Sequence, residues 1–365
     1  MNILSLFDGI SCGRIALERA GISVDNYFAS EIDKFAMQVS KANWQDIQQV
    51  GDVCNVYAAD LPKIDLLIGG SPCQGFSFAG KGLNFNDPRS ALFFEYVRIL
   101  NEIRKTSPDV IFLLENVPMK HEHQMVISKY LGVDPIEING TLVSAQNRKR
   151  LFWTNIKAQH FNLFGDAVSM IPQPKDKGIL LKDILQPVDE VGKKYYLSES
   201  ALNRLERRVN GKFSKPCIDT EKSGTATTRS NSGRMNLDSG TTLIKTCIYG
   251  HVSPNQEKSS CFTAGGNSAG NHSDMDLILI EQTPRGNNAG GKRALNGKTP
   301  SVSANSWENN NHLGGYRRLT PIEVERLFTL PDNYTASVSD SQRYRCMGNG
   351  WIVDVIAHIF SHIEK

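Results

Sequence analysis

The run Asp65-Leu66-Leu67-Ile68-Gly69-Gly70-Ser71-Pro72-Cys73-Gln74-Gly75-Phe76-Ser77 reads as a strand, a turn and a thiol. Its first part is a short continuous apolar segment flanked by glycines, which suits a strand buried on both faces better than a helix. Cys73 therefore follows the carboxyl end of a parallel strand. Ligands and chemistry collect beyond such ends in open α/β sheets, so this thiol is a candidate nucleophile. A cysteine by itself is more often a small buried hydrophobe, and the neighbouring strand ends must supply its partners.

The bulk properties restrict the setting. With 365 residues, 40% hydrophobic and 22% charged, the chain has material for two domains, or for one large domain with an insertion. No apolar run reaches membrane-spanning length, and Asn2-Ile3-Leu4-Ser5-Leu6-Phe7 reads as a strand rather than a secretory leader. Seven cysteines at irregular spacing, with no CxxC pair, give neither a disulfide framework nor a metal site, so a reducing cytosol and no metal are expected. A net charge of +3 names no partner, but it can hide local basic patches.

The first strand leads into Phe7-Asp8-Gly9-Ile10-Ser11-Cys12-Gly13, a glycine-bearing turn, and then a helical face of Ile15, Ala16, Leu17 and Ala20. Such a turn lets a ligand approach backbone N–H groups. It is not GxGxxG, which argues against a nicotinamide dinucleotide. A second strand, Tyr27-Phe28-Ala29-Ser30, ends at Glu31, a carboxylate placed to accept ribose hydroxyl protons, and a helix is expected over 32–43. A third strand end, Val50-Gly51-Asp52-Val53, offers an acceptor for an adenine amino group. Glycine, Glu and Asp at three successive strand ends fit a nucleoside.

After Cys73 comes a glycine-rich loop over 75–89, long enough to be a moving lid, and a helix from about residue 90 to 105. The strand Val110-Ile111-Phe112-Leu113-Leu114 ends in Glu115-Asn116-Val117-Pro118, which puts Glu115 at a strand end next to that of Cys73. Further on, Gln146-Asn147-Arg148-Lys149-Arg150-Leu151-Phe152-Trp153 alternates so that, in a strand, Gln146, Arg148 and Arg150 share one side.

Helical periodicity fades beyond about residue 160. Lys222-Ser223-Gly224-Thr225-Ala226-Thr227, Lys258-Ser259-Ser260-Cys261-Phe262-Thr263 and Lys298-Thr299-Pro300-Ser301-Val302-Ser303 repeat a Lys-Ser/Thr pattern, each copy followed by a leucine, Leu237, Leu277 or Leu313. We read these as short β-units that present Lys and hydroxyls together, a chemistry suited to phosphates. Before them, residues 192–215 hold Lys193, Lys194, Arg204, Arg207, Arg208, Lys212 and Lys215 against Glu199 and Glu206, a local basic footprint. Near the C-terminus, Thr320-Pro321-Ile322-Glu323 has the form of an N-cap, a first-turn proline and a capping box. A last helix after Gly348-Asn349-Gly350 places Ile352, Val355, Ile356, Ile359 and Ile363 on one face, which is expected to return to the first domain.

In this order the motifs resemble the DNA cytosine-5 methyltransferases, over residues 2 to about 155 and again from about 316 to 363. The residues that carry the resemblance are Phe7-x-Gly9, Glu31, Asp52, Pro72-Cys73-Gln74, Glu115-Asn116-Val117, Gln146-x-Arg148-x-Arg150, Arg318-Leu319-Thr320 and Gly348-Asn349. Asp8-Gly9-Ile10 and Trp351 look like vertebrate de novo methyltransferases; Pro72-Cys73-Gln74 and the middle insertion look bacterial or phage. Ser11-Cys12 replaces the family's glycine-rich turn, and Gly350 stands where bacterial members usually carry serine; both imply altered cofactor affinity.

The resemblance implies an α/β, Rossmann-like S-adenosylmethionine-dependent methyltransferase sheet with a second, smaller β-rich target-recognition domain. Residues 1–157 completed by 330–365 would form the catalytic domain, and 158–329 the DNA-binding one. It implies Cys73, Glu115, Arg148, Arg150 and Gln146 as catalytic residues. S-adenosyl-L-methionine would be held by Phe7, Asp8, Gly9, Ile10, Ser11, Glu31, Ile32, Asp52, Val53, Pro72, Leu92, Asn349, Gly350 and Trp351. DNA contacts would come from Gln74, Ser77, Lys81 and Arg89. Double-stranded DNA is the implied partner of a monomeric, cytoplasmic, bacterial or phage-encoded enzyme, with a restriction endonuclease acting on the same site. An RNA cytosine-5 methyltransferase and a non-catalytic DNA-binding relative are the competing readings. The insertion argues against the first, and retention of Cys73, Glu115 and both arginines against the second.

Overall fold

A computed structural model describes residues 1–71, 88–160, 167–196, 217–218, 242–247, 251–252, 277–280 and 316–364. Its centre is a seven-stranded sheet built from β1 (Asn2–Leu6), β2 (Asn26–Ser30), β3 (Ile47–Gln49), β4 (Leu66–Gly69), β5 (Ile111–Asn116), β7 (Ile136–Asn139) and β8 (Lys149–Thr154), in the order β3-β2-β1-β4-β5-β8-β7. The first five strands are parallel; β8 runs antiparallel to both β5 and β7. The strand order reverses between β1 and β4, the switch point at which a crevice opens beyond the carboxyl ends. Register aligns those ends, since Leu6 lies opposite both Ser30 and Gly69, and Gly69 lies opposite Leu114.

Alternation along the strands feeds two cores. Ile3 and Ile68 point to the face covered by α1 (Cys12–Arg19), α2 (Lys34–Asn43) and the last helix. Leu4 and Leu67 point to the face covered by α3 (Pro88–Thr106) and α4 (His121–Leu131), where Phe93, Tyr96, Leu100 and Ile127 are wholly buried. The expected helix over 32–43 starts later, at Lys34, because the Asp33 side chain accepts the N–H groups of Phe35 and Ala36 and so caps it. The C-terminal return holds: α8 (Val353–Phe360) packs on α1 and buries Val355, Ile356 and Ile359, while Arg19 reaches Asp354 at 2.6 Å.

The expected strand over Gln146–Arg150 is corrected: β8 starts at Lys149. Asn139 explains this. Its side chain accepts from Thr141 and from the Arg148 N–H, which holds 140–148 as a turn instead of extending the ladder. Two shorter elements, β6 (Val133–Asp134) and β9 (Ala158–His160), flank β10 (Ala167–Ser169) in a three-stranded sheet, and α5 (Leu181–Ile184) follows. Further on, β11 (Cys217–Ile218), β12 (Thr242–Cys247), β13 (His251–Val252), β14 (Leu277–Ile280) and β15 (Tyr316–Arg318) pair into a separate sheet. The three Lys-Ser/Thr repeats, and the basic run from 197 to 215, lie outside the described residues. The Thr320–Glu323 capping box opens α6 (Pro321–Leu327) as expected, and Glu323 also takes the N–H of Gln186 at 2.9 Å. No helix among the described residues is long and apolar enough to cross a membrane.

Candidate active site

Because β8 runs against β5, its first residues stand at the carboxyl end of the parallel strands. Arg150 thereby meets Glu115: its Nε lies 2.8 Å from Oε1, with both side chains about one-eighth exposed (13% and 12%). The other carboxylate oxygen, Oε2, accepts the indole N–H of Trp351 at 3.2 Å. Glu115, Arg148, Arg150, Phe152 and Trp351 line a small, half-open pocket. Gly70 borders it, and a Cβ there would come within 3.0 Å of Glu115 Oε2. Three residues on is Cys73, which lies outside the described residues together with Pro72, Gln74, Ser77 and Lys81. Of the other cysteines, Cys12, Cys54 and Cys346 have described side chains, and burial pushes the thiols of Cys12 and Cys346 up to about 12 and about 11. Cys54 is raised too, by desolvation and by Asp52 beside it. None of these three is an activated nucleophile.

Arg148 plays a different part from Arg150. It is buried, its guanidinium donates to the carbonyls of Gly348 (3.2 Å) and Gly350 (3.1 Å), and it sits 5.2 Å over the Phe328 ring. It clamps the turn that carries Asn349 and Trp351. Gln146 is wholly buried, and neither of its amide atoms has a partner among the described residues.

At the other end of the crevice the backbone of the first turn is left-handed at Phe7, Gly9 and Ser11. The Glu31 carboxylate accepts the N–H groups of Gly9, Ile32 and Asp33, each at 2.8 Å. Burial pushes its carboxyl up, and the N–H groups of Gly9 and Ile32 pull against that. A Cβ on Gly9 or Gly51 would meet nothing within 4 Å, so bare backbone faces open space here.

The chain was compared with known proteins. The model of the family described as C-5 cytosine-specific DNA methylase matches residues 1–131 and 141–365. The chain belongs to the C-5 cytosine-specific DNA methylases. It is 30% identical over 420 residues to the type II methyltransferase M.NgoBV of Neisseria gonorrhoeae, covering 98% of this chain and 97% of that one. To the type II methyltransferase M1.ScrFI of Lactococcus lactis subsp. cremoris it is 29% identical, covering 97% of this chain and 76% of that one. Among solved structures it resembles the Entamoeba histolytica methyltransferase EhMeth (TM-score 0.64, 16% identity, 99% and 97% covered). The S. pombe Dnmt2 methyltransferase also matches (TM-score 0.58, 18% identity, 99% and 97% covered).

In this DNA methylase the residues expected to hold the methyl donor differ in burial. Glu31 is half-buried, Ile32 is 74% exposed, and Asn349 is exposed. Asp8 and Ser11 turn inward: the Ser11 hydroxyl donates to Asp8 at 2.5 Å and lies 2.6 Å from Ser40 Oγ, and Tyr27 donates to Asp8 at 2.7 Å. Burial pushes Asp8 up to about 6. Ile10 and Val53 are buried, and Leu92 packs at the edge of the second core. The third strand ends earlier than expected, at Gln49, and Asp52 caps a short turn through the N–H of Cys54. Arg89 lies in the first turn of α3. No group of three or more His, Cys, Asp or Glu side chains is placed to hold a metal ion among the described residues.

The two departures from the family pattern touch each other. A Cβ on Gly350 would lie 3.3 Å from Cys12 Sγ and 3.2 Å from the Met347 carbonyl. The Gly350 backbone itself is ordinary (φ −78°), so only packing opposes a side chain. Gly350→Ser is expected to destabilise the methylase by about 1–3 kcal/mol in urea unfolding, and Cys12→Ala in the same chain to restore part of the loss. Full additivity of the two changes would contradict the contact.

Proposed function

We propose that this methylase transfers a methyl group from S-adenosylmethionine to C5 of a cytosine flipped out of duplex DNA, through a covalent adduct between Cys73 and C6. The observation that carries the reading is the Glu115 carboxylate, held from two sides by Arg150 and Trp351 in the wall of a pocket beside Gly70.

Cytosine C5 is too electron-poor to take a methyl group unaided. The Cys73 thiolate adds to C6, which leaves an enamine nucleophilic at C5. Glu115 faces N3 and the exocyclic amino group and stabilises N3 as charge develops there, while Arg150 takes the ring oxygen. S-adenosylmethionine, when bound, supplies an electrophilic methyl group on a sulfonium. Loss of the C5 proton and elimination of the Cys73 thiolate then release 5-methylcytosine. A base inside the stack cannot be attacked this way, so it must be flipped, at a cost of a few kcal/mol.

The residues around the first turn fit the methyl donor. Beside its three backbone donors Glu31 keeps one acceptor site, on Oε2, for a ribose hydroxyl, Ile32 offers an apolar surface next to it, and Gly9 and Gly51 leave the backbone open. DNA contacts are assigned to Gln74, Ser77, Lys81, Arg89 and the 158–329 segment. The enzyme is read as a monomer of the bacterial or phage cytoplasm, and the type II names of the relatives support a restriction endonuclease acting on the same site as its partner.

The test is product analysis. Duplex DNA incubated with the enzyme and S-adenosylmethionine, then digested to nucleosides, should yield 5-methyldeoxycytidine by mass spectrometry. N4-methylcytosine, N6-methyladenine or faster methylation of a structured RNA would overturn the reading.

A further inference from the structure

Trp351 was expected among the cofactor-binding residues, yet its indole nitrogen is on the catalytic carboxylate. Its Nε1–H donates to Glu115 Oε2, leaving Oε1 to Arg150. Those donors arrive from separate parts of the chain, Arg150 from β8 and Trp351 from the turn before α8. A glutamate has three side-chain torsions, and with both oxygens engaged from different directions it keeps one orientation. An indole suits this task because it has two torsions and a single donor at a fixed position on a rigid ring.

The ring is itself held. A Cβ at Gly70 would come within 3.1 Å of Nε1 and 3.4 Å of Cζ2, and one at Gly13 within 3.6 Å of Cζ3. These two glycines leave the slot in which the indole lies, one beyond β4 and one in α1. Behind it, Arg148 fixes the Gly348 and Gly350 carbonyls, so the backbone entering Trp351 is anchored on the Phe328 side. A support therefore runs from Arg148 through the Gly348–Gly350 turn and Trp351 to Glu115.

We propose that Trp351 is a positioning residue for the reaction, its indole N–H setting the angle at which Glu115 meets the base. The proposal rests on the function proposed above, because it needs Glu115 to face a substrate.

Three variants test it. Trp351→Phe keeps an aromatic ring in the slot and removes only the donor. Its single-turnover methylation of duplex DNA should fall roughly 10- to 100-fold, the range set by one hydrogen bond to a charged group. Its affinity for S-adenosylmethionine and its thermal midpoint should stay near those of the wild type. Gly70→Ala, which leaves Trp351 intact but crowds the same bond, should lower the rate in the same way. In a Glu115→Gln background, Trp351→Phe should cost less than about threefold more, since coupled residues are not additive.

A readout independent of turnover is the indole 15N–1H spectrum of the four tryptophans. The peak lost in Trp351→Phe should be the one that moves in Glu115→Gln. Wild-type rate in Trp351→Phe, a rate loss matched by loss of cofactor affinity, or an indole peak indifferent to Glu115→Gln would each overturn the positioning role. A wild-type enzyme that makes no 5-methylcytosine would instead remove the functional reading and this role with it.

Discussion

Glu115→Gln is expected to lower the single-turnover rate of methylation by about 10²- to 10⁴-fold, as removal of a positioned acid–base or electrostatic group does. The structure gives two reasons for an effect at the upper end. One carboxylate oxygen lies 2.8 Å from Arg150 Nε and the other 3.2 Å from Trp351 Nε1. A glutamine puts an NH₂ where one of these acceptors was, so a donor faces a donor, and Arg150 also loses its counter-charge. The side chain then turns or the arginine moves, and either displaces the group facing the base. Duplex binding should fall much less than the rate, because phosphate contacts rather than contacts to a single base dominate duplex affinity. A Glu115→Gln enzyme within tenfold of wild-type rate would show that Glu115 is not the group that meets N3.

The second large effect is on stability. Glu325 is wholly buried, although its place in α6 gives no hint of this. It accepts from the N–H of Asn333 (2.7 Å), from the N–H and hydroxyl of Thr335 (2.8 and 2.5 Å) and from Arg343 Nη2 (2.8 Å). Arg343, from α7 (Asp340–Asn349), also donates through Nε to Thr335 Oγ1 at 2.9 Å. Arg343→Met leaves a carboxylate in the interior without its counter-charge and should cost about 3–5 kcal/mol in urea unfolding. That is a large share of the total stability of an ordinary domain. Arg343→Met combined with Glu325→Leu should recover much of the loss, since an apolar pair of similar volume often replaces a buried ion pair at little cost. A loss below about 1 kcal/mol in the single variant would mean that the pair is solvated in solution.

What the sequence revealed was local. Apolar runs ending in glycine or an acid marked β1, β2, β4 and β5, because strands buried on both faces need continuous hydrophobicity and their ends need tight turns. Thr320 and Glu323 announced their helix, because a capping box is satisfied within four residues. The direction of β8 was hidden, because the turn before it depends on the Asn139 side chain in another segment. The bond between Trp351 and Glu115 spans 236 positions, and no periodicity reports a contact of that kind. Arg148 and Arg150 looked alike in the motif. The fold separated them, sending one to a backbone turn and the other to a carboxylate.

The most direct test of the central claim is a covalent trap. Duplex DNA carrying 5-fluorocytosine, incubated with the enzyme and S-adenosylmethionine, presents a ring from which fluorine cannot leave as a proton does. The Cys73–C6 adduct should therefore persist as a protein–DNA complex that survives denaturation, and it should vanish in Cys73→Ser. No complex at any substituted site of a duplex the enzyme methylates, or a complex that persists in Cys73→Ser, would contradict the mechanism.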